Sequence, residues 1–144
     1  MEQMMLLAGF PPHQDLPADA REMPHVRQFL DGWGQPGDVG VLAFDDPQRP
    51  CGAAWARVLD DPLVRDEHGA AVAELAIAVQ AGKQGRGVGT TLLEALADSA
   101  EAAGHSELSL RVSPLNPAYR LYVRCGFEPA GGGSHWLVMR RRLS

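Results

Sequence analysis

Ala71-Val72-Ala73-Glu74-Leu75-Ala76-Ile77-Ala78-Val79-Gln80-Ala81-Gly82-Lys83-Gln84-Gly85-Arg86-Gly87-Val88-Gly89-Thr90 is the stretch on which the fold turns. Residues 71–79 are apolar apart from Glu74, as in a strand covered on both faces and set centrally in a sheet. Downstream, Val88, Leu92, Leu96 and Ala100 recur at helical spacing, and Gly104 stands where a C-terminal cap belongs. Strand, glycine loop and helix therefore follow in order. The first N–H groups of such a helix point outward unpaired and its dipole adds positive potential, so the loop Gln84-Gly85-Arg86-Gly87-Val88-Gly89-Thr90 suits a pyrophosphate. Glycines let the ligand touch the backbone, and Arg86 offers a charge-assisted contact. A Walker loop requires Gly-Lys-Ser/Thr, which is absent although Lys83 precedes the loop. The dinucleotide fingerprint G-x-G-x-x-G fails because Thr90 stands where the third glycine belongs.

Toward the C-terminus, residues 106–112 alternate, with Leu108, Leu110 and Val112 on one face and Ser109 and Arg111 on the other. Asn116 as N-cap with Pro117 at the first helical position opens another helix, whose Ala118, Leu121, Tyr122 and Cys125 share a face before Gly126. Strands around 127–129 and 135–143 meet across Gly131-Gly132-Gly133. Toward the N-terminus, strands at 39–44 and 52–59 form a hairpin around the turn-rich residues 45–50. Residues 1–9 are good helix formers stopped by Phe10-Pro11-Pro12, 11–24 read as a connection, 25–30 as a second helix and 31–38 as a loop. The class is α/β (α+β): one domain, 1–144, with a mixed sheet and helices on its faces.

Composition excludes several alternatives. With 45% hydrophobic and 22% charged residues the chain is neither disordered nor fibrous. Its net charge of −5 repels a phosphate backbone, so no nucleic-acid partner is expected, and Arg140-Arg141-Arg142 reads as a solvated strand end. Cys51 and Cys125 lack a C-x-x-C pairing and suit free thiols in a reducing, cytoplasmic setting. No segment approaches the roughly 18 apolar residues of a membrane span, and no basic residue precedes the apolar run near Met1 as in a signal peptide. His13, His25, His68, His105 and His135 show no metal-ligand spacing, so no metal is expected.

Two motifs carry a family resemblance. Gln84-x-x-Gly87-x-Gly89 is similar to the acyl-CoA motif Gln/Arg-x-x-Gly-x-Gly/Ala of the GNAT N-acetyltransferases. Asn116-Pro117-Ala118-Tyr119-Arg120-Leu121-Tyr122-Val123-Arg124-Cys125-Gly126-Phe127 resembles that family's N-x-A-x-x-L-Y-x-x-x-G-F signature. The resemblance covers residues 71–143. It implies a mostly antiparallel sheet of six or seven strands flanked by about four helices, with a first strand that residues 1–9 do not supply; a homodimer partner is one source of that edge.

It also implies acetyl-CoA as cosubstrate and acetyl transfer to an amine of a small molecule or protein in a ternary complex. Ile77, Ala78 and Val79 would bend at a bulge, splay from the next strand and pair with the pantetheine arm. Gln84, Gly85, Arg86, Gly87, Val88, Gly89 and Thr90 would hold the pyrophosphate, with Asn116 flanking the arm. Tyr122 would protonate the departing thiolate, and the Val79 N–H would polarise the thioester carbonyl. The acceptor side would lie near Trp33 and residues 131–136. Glu74, a lone carboxylate on a central strand, is either the general base or a salt-bridge partner of Arg57 or Arg111. Alternation puts it opposite Val79 unless the bulge intervenes. A non-catalytic acyl-CoA-binding module is the alternative.

Overall fold

The computed structural model describes residues 5–8, 37–46, 49–79, 87–133 and 136–143. Seven strands form one sheet: β1 (Met5–Ala8), β2 (Val39–Asp46), β3 (Arg49–Arg57), β4 (Ala73–Val79), β5 (Glu107–Val112), β6 (Glu128–Gly132) and β7 (Leu137–Arg142). Their order across the sheet is β1-β2-β3-β4-β5-β7-β6, and every neighbouring pair is antiparallel except β4–β5. Helix α1 (Val88–Ala102) connects β4 to β5, and α2 (Ala118–Arg124) follows β5.

The apolar run of β4 is covered on both faces because alternate residues enter two cores. Ala73, Leu75, Ile77 and Val79 face the core that also contains Val88, Leu92, Leu93 and Leu96 of α1. Ala76 and Ala78 face a second cluster built on Leu42, Phe44, Ala53 and Trp55. Gly52 is what lets α1 approach: a Cβ there would lie 2.9 Å from Leu92 Cδ1, and 3.2 Å from both Val88 Cγ1 and the Ala78 carbonyl oxygen. The C-terminus of α1 closes as the sequence anticipates. Gly104 adopts φ +94°, its N–H bonds the Glu101 carbonyl, and the His105 N–H bonds that of Ala100.

Three expectations need correction. Residues 5–8 are strand β1, paired with β2 from Met5↔Phe44 to Ala8↔Val41, and not helix. Helix propensity is a weak prior, and pairing with an exposed sheet edge overrides it over so short a segment. The first strand is thus present in this chain, and it fills the edge that was open to a partner. Two helices lie among the described residues against about four expected; the helix read at 25–30 lies outside them. Finally, β4 has no bulge, since its register with β3 runs without a shift from Arg57↔Glu74 to Gly52↔Val79. None of the described helices is long and apolar enough to cross a membrane.

Candidate active site

Among the described residues, the only parallel pair of the sheet is also its shortest ladder. β4 and β5 pair at Ala73↔Leu108 and Glu74↔Ser109 and then part, although β4 runs on to Val79 and β5 to Val112. The buried Ser109 hydroxyl donates to the Ala73 carbonyl at 3.0 Å, fastening the strands where the fork begins. Beyond it, β4 passes from buried at Ala73–Leu75 to half-buried at Ala76–Val79, as strands lining a cleft do. Alternate N–H and C=O groups of this segment point to the side that β5 has vacated, leaving backbone donors and acceptors for an extended ligand. The splay expected of Ile77, Ala78 and Val79 is therefore present, produced by strand divergence instead of a bulge.

Both helices start at the mouth of this fork, because the chain leaves β4 toward α1 and β5 toward α2 at the carboxyl ends of the two parallel strands. Such a crevice is where open α/β sheets take ligands. Gly87 precedes α1 with φ +81°, a conformation open to glycine at little cost, and a Cβ there would meet nothing within 4 Å. The Gly87 carbonyl accepts from the Thr91 N–H at 3.0 Å and from the Thr91 hydroxyl at 2.9 Å. The N–H groups of Val88, Gly89 and Thr90 precede the first intrahelical bond, and the first turn carries no acidic side chain. An anion is favoured there by unpaired donors and dipole together. Gly89 has a separate reason to lack a side chain: its Cβ would lie 2.8 Å from Leu121 Cδ2, so it admits α2 against α1. Gln84, Gly85 and Arg86 lie outside the described residues, as do Trp33 and His135.

On the second arm of the fork, Asn116 Oδ1 accepts from the Ala118 N–H at 2.9 Å, the N-capping contact read from sequence. Tyr122 is buried on α2 in the helix-side core. Its ring meets Phe127 edge-on at 6.0 Å, and the Phe127 N–H bonds the Tyr122 carbonyl at 3.0 Å. The Leu-Tyr-x-x-x-Gly-Phe signature thus acts as one turn, with Gly126 at φ +89°. Burial pushes the Tyr122 hydroxyl up to about 12, so it is a proton donor throughout the neutral range.

Glu74 lies on the other face of the sheet, at the apex of the fork, and is 2% exposed. Of the two salt-bridge partners proposed from sequence, Arg111 is the one found, with Nε 3.5 Å from Glu74 Oε2; Arg57 bonds Asp38 Oδ1 at 3.1 Å. Burial raises the Glu74 carboxyl above its ordinary range and the Arg111 charge opposes the rise. Ser109 and Gly52 were not singled out as site residues. Their roles depend on which strand or helix lies beside them, and no motif records that. Among the described residues no cluster of metal-ligating side chains occurs.

A parallel-strand fork with a glycine-started helix at its mouth agrees with what comparison shows. The family model described as "Acetyltransferase (GNAT) family" matches residues 4–127. The chain belongs to the GNAT acetyltransferase family. No curated protein matches it. Among solved structures, a GNAT-family acetyltransferase from Streptococcus pneumoniae aligns at TM-score 0.71 and 18% identity, over 99% of this chain and 100% of that one. A GCN5-related N-acetyltransferase from Kribbella flavida is 28% identical at TM-score 0.62, over 76% of this chain and 70% of that one. Salmonella typhimurium yncA, solved with its cofactor acetyl-CoA, aligns at TM-score 0.60 and 20% identity, over 75% of this chain and 66% of that one.

Proposed function

We propose that this family member transfers the acetyl group of acetyl-CoA to an amine by direct attack in a ternary complex. The β4–β5 fork carries the reading: it leaves strand backbone of β4 unpaired, with a glycine-started helix following that strand and Tyr122 on the helix that follows β5. The pyrophosphate rests on Gly87 to Thr90 and the preceding residues 84–86, and the amide-bearing arm pairs with Ile77 to Val79. Asn116 holds the start of α2 beside the arm. The neutral amine attacks the thioester carbonyl while the Val79 N–H stabilises the developing oxyanion. Carbon–sulfur cleavage then expels the thiolate, which takes a proton from Tyr122, and the ammonium proton passes by way of water to Glu74, which the unshifted register of β4 leaves on the sheet face opposite Val79.

Isothermal titration with acetyl-CoA, on the parent and on Gly87→Glu, tests the binding half. The parent binds and the variant does not, because glutamate brings negative charge and bulk to the anion site. The left-handed backbone costs the variant about 1–2 kcal/mol, which a folded domain tolerates. Equal binding by a folded variant would place the pyrophosphate elsewhere. Release of free CoA thiol across a panel of amines tests the catalytic half.

A further inference from the structure

Among the described residues, three ionic pairs occupy the sheet face opposite α1 and α2, and one differs from the others. Arg57, the β3 partner of Glu74 in register, is bonded to Asp38 at 3.1 Å. Arg140 of β7, opposite Ser109, is bonded to Glu107 Oε2 through Nε at 2.8 Å and also through Nη2. Both arginines are thus engaged. Between them, Arg111 stands two positions beyond the last β4–β5 pairing and reaches back across the fork to Glu74, at a loose 3.5 Å. Glu74 Oε1 and Arg111 Nε are both buried without a hydrogen-bond partner. The carboxylate is sealed, its side chain 3% exposed, while that of Arg111 is 32% exposed. A buried carboxylate with an open oxygen is costly as plain structure, and the adjacent pairs show that tighter geometry is attainable on this face.

We propose that Arg111 is the positioning residue that holds the Glu74 carboxylate charged at the apex of the fork, with Oε1 left free of hydrogen bonds to take up the proton of the incoming amine by way of water. This rests on the acetyltransferase reading. Among the described residues, the charged groups facing Glu74 are Arg57, Glu107, Arg111 and Arg140, and Arg111 alone is in contact with its carboxylate. Burial drives the carboxyl up and Arg111 draws it down, so without Arg111 the basic form appears only at higher pH.

The test is carboxyl ¹³C NMR titration of glutamate-labelled protein, with the Glu74 signal assigned by its loss in Glu74→Gln, beside pH profiles of kcat/KM. In Arg111→Met the Glu74 midpoint and the acidic limb of kcat/KM both rise by about one unit or more. In Arg111→Lys, which keeps the charge, both return toward the parent, and the Kd for acetyl-CoA is unchanged in either variant. Should Arg111→Met fail to fold, the lysine variant against Glu74→Gln carries the comparison. A midpoint that does not move, or one that moves while the rate limb stays, overturns the proposal. Loss of melting temperature alone does so too, identifying a structural pair. A parent that binds no acetyl-CoA would instead sink the acetyl-transfer reading and leave the titration to be judged by itself.

Discussion

Tyr122 combines a hydroxyl pushed up to about 12 with a ring held edge-on by Phe127, so it stays protonated through the neutral range and its position is set before substrate arrives. Tyr122→Phe keeps the ring and the edge contact while removing the proposed acid. Turnover should fall about 10²-fold with acetyl-CoA affinity nearly unchanged, read from steady-state rates and isothermal titration on the same preparation. The raised hydroxyl also has a stability consequence. The unfolded tyrosine ionises near its ordinary value and the folded one near 12, so its contribution is complete below about pH 10 and is lost as the pH climbs toward 12. No limb of a neutral pH–rate profile belongs to Tyr122, and Tyr122→Phe should remove none.

At the scale of elements, the glycines divide by what lies opposite them. Gly52 faces the fully buried Leu92, Val88 and a backbone carbonyl, none of which can give way easily, so Gly52→Val should lift the start of α1 from the sheet. The expected cost is about 1–3 kcal/mol by chemical denaturation, with weaker acetyl-CoA binding because the donors of α1 move with it. Gly89 faces only the tip of Leu121, and Gly89→Ala should be close to neutral in the same measurement. These contacts mark the limit of what the sequence discloses. Helix α1, the alternation of β5, the Asn116 cap and the Gly126 turn were legible because each depends on residues near in sequence. β1 was not, since Met5-Leu6-Leu7-Ala8 lacks a strand pattern and is held by β2, more than thirty residues away. The choice of Arg111 over Arg57 as partner of Glu74 was equally hidden, because it depends on Asp38 having already engaged Arg57.

For the molecule as a whole, a ligand that binds only the folded state at 100 times its dissociation constant adds about 2.7 kcal/mol. Acetyl-CoA should therefore raise the melting temperature by several degrees, with NAD and ATP leaving it unmoved. A rise with ATP equal to that with acetyl-CoA would favour a general phosphate site. The gain is expected to concentrate where the sheet is weakest. Strands β1 to β4 form one wing and β5, β7 and β6 the other, and two rungs of backbone pairing, one hydroxyl, the Glu74–Arg111 pair and the underside of α1 join the wings. An arm lying between Val79 and the far end of β5 would serve as the rungs that the strands do not make for themselves. On the proposed reading, the spread of the wings would be a softer coordinate in the empty protein than in the loaded one, with the cosubstrate completing the sheet whose chemistry it supplies.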